Sequence, residues 1–201
     1  MDKKKRLNFN TPAPDAELLD NQGKLVKLST LWKQKSILLA FTRHFGCTQC
    51  KEMLLELVEG KTAIEKAGLQ IVIVTQGNPK ETTEFAAEFA PGLTCYSDPD
   101  RKAYQAYVLD RGNLFETFIN PKVWQAISKS KRKGYAVETP PAGQDALQMS
   151  GTFIINQNGL IELPYYYDHI ADHPALDLLL TGVLSTPWGK EFNGPIGSPR
   201  E

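Results

Sequence analysis

Cysteine is scarce in this sequence of 201 residues, which contains only three. Three cysteines do not form the dense disulfide framework that stabilises many small secreted domains. Long apolar runs are also missing: no stretch approaches the roughly 20 residues that a membrane-spanning helix needs. Nor does an apolar segment follow the basic start MDKKKR, as it would in a secretory signal peptide. We therefore expect a cytoplasmic protein that is not inserted in a membrane.

The sequence also lacks an excess of charge of either sign, since Lys plus Arg and Asp plus Glu both number 23. A balanced chain has no general attraction for nucleic acid or for anionic membranes, so we expect neither as a partner. The local basic run Lys129–Lys133 is more typical of a solvated loop than of a site for an anionic partner. With 41% hydrophobic residues, the chain can form the core of one domain.

Apolar runs alternate with helical patterns along most of the chain. Continuous apolar runs predict buried strands at 36–41, 69–74 and 93–96, each followed by the three- and four-residue spacing of a helix. One hairpin is expected before them, within 18–28, and another at 151–167. This order indicates an α/β fold whose central sheet has helices on both faces, and the closing antiparallel hairpin makes the sheet mixed.

Capping residues predict where several helices begin and end. Pro79 is expected in the first turn of one helix, and Gly68 just after the end of another. Ser29 or Thr30 is expected to cap a short helix, and Pro174 to lie in the first turn of the last one. These elements define one domain at 15–185, with an extended lead-in at 1–14 and an irregular tail at 186–201. An insertion with a helix near 121–129 is expected at 111–148.

Two of the three cysteines, Cys47 and Cys50, lie two residues apart where an apolar run gives way to a helical pattern. A thiolate at a helix start is stabilised by unpaired backbone N–H groups and by the positive end of the helix dipole. We expect Cys47 to be the nucleophile, exposed in the turn and with a lowered pKa. Cys50 is expected to capture the oxidised sulfur. The alternative is a pair of inert, buried thiols.

Three segments, in order along the chain, resemble a single protein family: Arg43–Cys50, Gln148–Thr152 and Ala171–Pro174. Together with the order of strands and helices, they make residues 12–184 similar to the alkyl hydroperoxide reductase/thiol-specific antioxidant (AhpC/TSA) family. The resemblance is to its peroxiredoxin-like branch, of the prostamide/prostaglandin F synthase type. One departure is clear. Typical peroxiredoxins have a proline seven residues and a threonine three residues before the nucleophilic cysteine, where this sequence has Ala40 and His44.

This resemblance implies a thioredoxin-like fold with an N-terminal hairpin extension and an insertion before the last hairpin. It implies a thiol-dependent oxidoreductase that reduces a hydroperoxide or an endoperoxide through a Cys47/Cys50 dithiol–disulfide cycle. A thioredoxin-like protein is the expected electron donor, no cofactor is expected, and the protein can form a homodimer. Two alternatives stay open: an enzyme that exchanges disulfides with proteins, and a redox-sensing module without turnover.

Several other residues are candidates for the site. Arg43 ends the first core strand and is expected to stabilise the thiolate or an anionic substrate group, with a carboxylate at the sheet end as its alternative partner. Thr152 is expected to start the strand beside the cysteines and to contact substrate through its backbone, as the corresponding segment does in thioredoxin-like proteins. His44 is a candidate proton donor, although a turn histidine without such a role is the preferred interpretation.

A zinc site is the main chemical rival, and it would use Cys47, Cys50 and His44. His169 and His173 have ligand spacing for a helix, but a helix is expected only after them, so we predict no metal site. His173 is instead expected to cap the final helix or to pair with Asp172. The third cysteine, Cys95, is predicted to be a buried, inert thiol, with a resolving role as the alternative.

Overall fold

The computed structural model describes residues 5–112, 138–183 and 186–190. Its elements, in chain order, are β1 (Glu17–Leu19), β2 (Leu25–Lys27), α1 (Leu28–Trp32), β3 (Ile37–Phe41), α2 (Thr48–Lys66), β4 (Gln70–Thr75), α3 (Pro79–Phe89), β5 (Thr94–Ser97), α4 (Lys102–Ala106), β6 (Gly151–Ile155), β7 (Ile161–Tyr166) and α5 (Leu176–Thr181). Each predicted strand is present, with ends within about a residue of those expected.

The described strands form one mixed sheet in the order β2-β1-β5-β4-β3-β6-β7. Strand β4 lies at the centre, between β5 and β3, and it pairs parallel with both. The first hairpin extends the sheet because β1 pairs antiparallel with β5, and the last hairpin extends it because β6 pairs antiparallel with β3. The predicted thioredoxin-like α/β architecture with a mixed sheet is therefore confirmed.

Strand β3 supplies both halves of the core, because all five of its side chains are buried. Ile37, Leu39 and Phe41 point to the face covered by α1 and α4, whereas Leu38 and Ala40 point to the face covered by α2, α3 and α5. This alternation is the period-two geometry of a strand between two helical layers. Because β3 is anchored in the core on both faces and ends at Phe41, the residues that follow lie at the carboxyl end of a firmly held strand.

Two of the predicted helix boundaries are confirmed and two are wrong. Pro79 is the first residue of α3, and Gly68 lies just beyond α2 with φ +92°, a conformation that favours glycine. Ser29 and Thr30 lie inside α1, which begins at Leu28 without a side-chain cap. Pro174 precedes α5 instead of lying in its first turn, and Ala175 is the N-cap residue.

The predicted helix near 121–129 and the basic run 129–133 lie outside the described residues. The two described ends of the insertion are joined, because Arg111 pairs with Gln148 in an isolated β-bridge. The division of the chain into lead-in, domain and tail stays a prediction. Among the described residues, no helix combines the length and apolar character needed to cross a membrane.

Candidate active site

The loop that follows β3 carries the two cysteines to the start of α2. Cys47 is the N-cap residue: its backbone is extended, its N–H donates to the His44 carbonyl at 3.0 Å, and its carbonyl accepts from the Lys51 N–H at 3.1 Å. Cys50 lies in the first turn of the helix. The predicted placement of the pair at a strand-to-helix junction is therefore confirmed.

The thiols of Cys47 and Cys50 are free and in direct contact. The Cys50 thiol donates a hydrogen bond to the Cys47 sulfur, with 2.8 Å between the sulfur atoms. Both residues are buried, with exposed fractions of 4% and 5%. The expectation that Cys47 is exposed was wrong, because a segment from the end of the insertion lies over the loop. We call residues 138–148 the cover segment.

The surroundings of the two sulfurs separate their pKa values. The hydrogen bond from the Cys50 thiol is the main cause that lowers the pKa of Cys47 to about 6; the charge of Arg43 adds to this effect, and burial opposes it. Burial raises the pKa of Cys50 well above its usual value, and the hydrogen bond that its thiol donates to Cys47 raises it further. At neutral pH the pair therefore holds one thiolate, on Cys47, and one thiol, on Cys50. This is the protonation pattern that the predicted order of attack requires.

Arg43 links the thiolate to the cover segment. One terminal nitrogen of its guanidinium group lies 3.7 Å from the Cys47 sulfur, and its Nε donates to the Gln148 carbonyl at 3.1 Å. The other terminal nitrogen donates to the Ala146 carbonyl. The partners at the sheet end are thus a thiolate and two carbonyls, not the carboxylate of the alternative interpretation. Because the guanidinium group is buried and held at three points, its charge is fixed beside the sulfur.

Gln76, one residue beyond β4, holds the Arg43 loop and the cover segment together. Its side-chain nitrogen donates to the Arg43 carbonyl at 3.0 Å and to the Asp145 carbonyl at 3.3 Å. Its side-chain oxygen accepts from the Asp145 N–H at 2.8 Å. Gln76 and Arg43 are buried and Asp145 is half-buried, so these bonds satisfy polar groups that have little access to water.

The other end of the cover segment packs on the turn before Cys47. A Cβ atom added to Gly46 would lie 2.4 Å from the Glu138 carbonyl oxygen, so only glycine fits this contact. The Glu138 carboxylate lies 2.9 Å from the buried ammonium group of Lys51, and the Gln144 side chain accepts from the Phe45 N–H at 2.9 Å. These contacts explain why the two thiols are shielded from solvent.

His44 is buried in the same loop, with 7% of its surface exposed. Burial, together with the charges of Arg43 and Lys51, lowers its pKa to about 4, although Asp145 opposes the shift. The ring is therefore neutral at pH 7. Within the described part of the chain, its Nδ1 atom has no hydrogen-bond partner. A neutral imidazole can form a hydrogen bond with a substrate through this nitrogen. It does not carry the second proton that an imidazolium ion would donate as a general acid.

Thr152 is the second residue of β6, one position later than expected, and it pairs with Ala40 of β3. Its buried hydroxyl is hydrogen-bonded to the Tyr167 hydroxyl at 2.8 Å, and Tyr167 donates in turn to the Met53 sulfur at 3.2 Å. In the described part of the molecule this side chain thus bonds a tyrosine and neither thiol. The expected contact of its backbone with substrate stays a prediction.

The zinc alternative gains no further ligands from the structure. Throughout residues 5–112, 138–183 and 186–190, no three His, Cys, Asp or Glu side chains are grouped so as to hold a metal ion. The ring of His173 lies 3.1 Å from the Glu56 carboxylate. Both expected roles were wrong, because α5 has no side-chain cap and the carboxylate partner is Glu56, not Asp172. The Asp172 carboxylate instead accepts from the Tyr165 hydroxyl at 3.0 Å.

Cys95 lies two strands away from β3, on β5, opposite Ile73 of β4. It is half-buried, and burial raises its pKa to about 12. Its thiol is therefore protonated at neutral pH and is a poor nucleophile. This agrees with the preferred interpretation of an unreactive thiol and disfavours a resolving role.

Three residues of the site were missed in the sequence. Gln76 was detectable, because it follows β4 at the same sheet edge where Arg43 follows β3, and the carboxyl ends of parallel strands meet there. Lys51 was also detectable, since it is four residues after Cys47 on a helix and so lies on the same face. Glu138 carried no signal, because its position depends on a long-range contact of the insertion.

Comparisons with known proteins agree with this geometry. Residues 9–163 match the AhpC/TSA family. The chain belongs to the AhpC/TSA family. Over 168 residues it is 27% identical to a prostamide/prostaglandin F synthase of Danio rerio, and the match covers 77% of each chain. Over 119 residues it is 30% identical to the chloroplastic thioredoxin-like protein AAED1 of Arabidopsis thaliana, covering 59% of this chain and 47% of that protein.

A solved structure of a peroxiredoxin-like protein supports the architecture. The crystal structure of a peroxiredoxin-like protein from Aquifex aeolicus aligns with a TM-score of 0.63 and 14% identity, covering 89% of this chain and 86% of that one. At this identity the likeness shows the fold alone. Membership of the AhpC/TSA family, together with the adjacent thiols of Cys47 and Cys50, makes this protein a peroxiredoxin-like, thiol-dependent oxidoreductase.

Proposed function

We propose that this protein reduces hydroperoxides through a disulfide cycle of Cys47 and Cys50. The observation that carries the proposal is the hydrogen bond from the Cys50 thiol to the Cys47 sulfur, 2.8 Å away, beside the guanidinium group of Arg43. It gives one activated thiolate and one protonated thiol within reach of each other. Family membership supports a peroxide as the oxidant.

In the first step the Cys47 thiolate attacks one oxygen of the O–O bond. A sulfur–oxygen bond forms, the O–O bond breaks, and the departing alkoxide takes a proton from solvent to leave as an alcohol, or as water when the substrate is hydrogen peroxide. Cys47 becomes a sulfenic acid. Arg43 remains hydrogen-bonded to two backbone carbonyls throughout, so its charge is available to stabilise the anionic reactants.

In the second step the Cys50 sulfur attacks the Cys47 sulfur. The disulfide forms, the sulfur–oxygen bond breaks, and the hydroxyl group leaves as water with the proton that Cys50 gives up. Two electrons have then passed from the thiol pair to the peroxide. A thioredoxin-like dithiol donor restores both thiols by exchange and takes over the disulfide.

An endoperoxide can enter the same cycle, and the name of the Danio rerio relative makes it the second substrate class to test. Attack by Cys47 would break the O–O bond, forming a sulfenate ester on one oxygen and an alkoxide on the other, which takes a proton from solvent. Attack by Cys50 on the Cys47 sulfur would then form the disulfide, break the sulfur–oxygen bond and release the second oxygen as an alcohol with the proton of Cys50. His44 occupies the position of the threonine that typical peroxiredoxins have before the cysteine. Its Nδ1 atom, which has no hydrogen-bond partner among the described residues, is a candidate for bonding the peroxide.

Disulfide exchange with protein substrates is the rival activity. A protein disulfide must approach the thiolate closely, but Cys47 is 4% exposed beneath the cover segment. A peroxide needs less room than a protein disulfide to reach the thiolate, so burial favours a peroxide as the oxidant. Reduction of the Cys47–Cys50 disulfide by a protein donor then requires the cover segment to move. We also propose that the protein works in the cytoplasm, because its few cysteines suit a reducing compartment. The homodimer stays a prediction.

Mass spectrometry after one equivalent of a hydroperoxide tests the cycle. The wild-type protein should lose two hydrogen masses and form a disulfide that maps to Cys47 and Cys50. Cys50→Ser should stop at the sulfenic acid of Cys47, and Cys47→Ser should consume no peroxide. Cys95→Ser is the matched control and should behave like the wild type. If Cys47→Ser consumes peroxide as fast as the wild type, the proposal is wrong.

A further inference from the structure

A cavity of about 390 Å³ lies apart from the two thiols, and neither Cys47 nor Cys50 lines it. Its walls come from Arg6 and from residues 109–112, 149–150 and 166–168. A volume of this size is typical of sites for small molecules. We call it the charged cavity, because four of its lining side chains carry a full charge.

The charges that line this cavity are of both signs: Arg6, Asp110, Arg111 and Asp168. Arg111 is already paired, since its guanidinium group contacts the Asp145 carboxylate. The other three side chains are exposed and have no ion-pair partner among the described residues. The charged cavity therefore offers one cation and two carboxylates to a ligand that arrives from solvent.

Tyr166 positions the available cation. Its hydroxyl accepts from the Leu7 N–H at 2.9 Å and donates to the Tyr107 carbonyl at 3.0 Å, which ties the chain next to Arg6 to the core. The Arg6 guanidinium group lies over the Tyr166 ring, 4.8 Å from its centre. A guanidinium group held by its flat face keeps its N–H groups available for a carboxylate.

The inner wall of the charged cavity is apolar except for one hydroxyl group. Leu109 and Met149 are buried there, and Ser150 lies beside them with 2% of its surface exposed. The Ser150 hydroxyl has no hydrogen-bond partner in the part of the chain that the structure describes. Buried polar groups are nearly always hydrogen-bonded, so an unsatisfied one in a cavity wall indicates a site for a ligand or an ordered water.

Gln148 connects the charged cavity to the thiolate. Its side-chain nitrogen donates to the Leu109 carbonyl at 2.8 Å, in the cavity wall, and its carbonyl accepts from the Arg43 Nε at 3.1 Å. A ligand that holds residues 109–112 in place therefore also stabilises the end of the cover segment. Through Gln148 it keeps Arg43 beside the Cys47 sulfur.

We propose that the charged cavity binds a small zwitterionic ligand, a free amino acid or a short peptide, and that this ligand holds the cover segment closed over the thiols. Arg6 binds the carboxylate, whereas Asp110 and Asp168 bind the ammonium group. A ligand of one sign would leave groups of the same sign facing it, whereas a zwitterion matches both. The inference concerns a second site and does not depend on which oxidant Cys47 reduces.

Calorimetric titration at pH 7 with three dipeptides tests the ligand class. Gly-Leu carries both charges, N-acetyl-Gly-Leu lacks the ammonium group and Gly-Leu amide lacks the carboxylate. The two blocked peptides should bind the wild type about tenfold more weakly than Gly-Leu, the loss expected of one charge-assisted hydrogen bond. No binding of Gly-Leu, or equal affinity for all three, overturns the proposal.

Charge-neutral variants assign the two ends of the ligand. Arg6→Gln should lose the preference for Gly-Leu over its amide, and the double variant Asp110→Asn/Asp168→Asn should lose the preference over the acetylated peptide. Lys5→Gln and Glu17→Gln remove exposed charges outside the cavity, so they are the matched controls and should keep both preferences. Preferences that survive in the cavity variants overturn the assignment.

Alkylation of Cys47 by a bulky thiol reagent tests the link to the cover segment, and it needs no peroxide. Saturating Gly-Leu should slow alkylation of the wild type several-fold, because a ligand that binds only the closed form lowers the population of the open one. The same concentration should have little effect on Arg6→Gln. An unchanged rate for the wild type at saturation overturns the link between the cavity and the thiols. A failure of the peroxidase assay would leave both binding and protection intact, so the two proposals fail separately.

Discussion

The Cys50 thiol donates a hydrogen bond to the Cys47 sulfur, and this bond gives two chemically similar side chains different protonation states. Cys47, whose pKa is lowered to about 6, is a thiolate at neutral pH, whereas burial keeps Cys50 protonated. The residue that resolves the reaction therefore also activates the nucleophile. A substitution at Cys50 should affect both steps.

Replacing Cys50 separates these two effects. In Cys50→Ala the Cys47 thiolate loses its strongest hydrogen bond while its burial remains, so its pKa should rise above about 6. Cys50→Ser keeps a hydroxyl donor, so the Cys47 pKa should lie closer to that of the wild type. Ultraviolet absorbance of the thiolate during a pH titration measures the change, in a Cys95→Ser background. Equal pKa values in the alanine and serine variants would contradict this explanation.

Gln76→Met tests the connection between the Arg43 loop and the cover segment. Methionine has a similar volume but cannot form the three hydrogen bonds, so the free energy of unfolding should fall by about 1–3 kcal/mol. Because the Arg43 guanidinium group is held by the same segment, the Cys47 pKa should also rise. The pH dependence of alkylation reports this pKa. The control is Gln22→Met at an exposed glutamine, and both quantities should be unchanged there.

Gly46→Ala should displace the cover segment from the cysteine loop. The new Cβ atom would lie 2.4 Å from the Glu138 carbonyl oxygen, which is too close for the present packing. A bulky thiol reagent should therefore alkylate Cys47 several times faster in the variant than in the wild type. Ala142→Gly, at an exposed position of the same segment, adds backbone freedom without a new contact at Gly46 and controls for general loosening of the segment. Unchanged reactivity of Gly46→Ala would show that the cover segment does not limit access.

His44 should make stability depend on pH. Its pKa is about 4 in the folded protein and 6.5 in the unfolded chain, so the unfolded chain binds the proton more tightly. The contribution of neutral His44 is complete above pH 6.5 and is lost as the pH falls from 6.5 toward 4, by up to about 2–3 kcal/mol. Denaturant unfolding of the wild type and His44→Asn at several pH values isolates this contribution. His169→Asn, in a half-buried turn, is the control, and a wild-type slope in His44→Asn would contradict the assignment.

Local patterns in the sequence predicted most of the framework. The apolar run at Ile37–Phe41 identified the central strand because a strand covered on both faces has no polar positions. Asn78 and Pro79 mark the start of α3 through a capping box that is itself local. The short helices were harder to predict: α1 has no side-chain cap, and α5 begins two residues after Pro174. Their ends depend on packing.

The sequence by itself determined the dithiol, its place between a strand and a helix, and the order of the core elements. These follow from spacings of a few residues, which the chain fixes before it folds. Only the tertiary structure decided the environment of the sulfurs. The buried state of Cys47, the three-point hold on Arg43 and the approach of Glu138 to Lys51 all depend on residues 138–148 returning to a loop about 100 positions earlier. Long-range contacts of this kind have no local signal, because their energy is gained only when distant segments pack together.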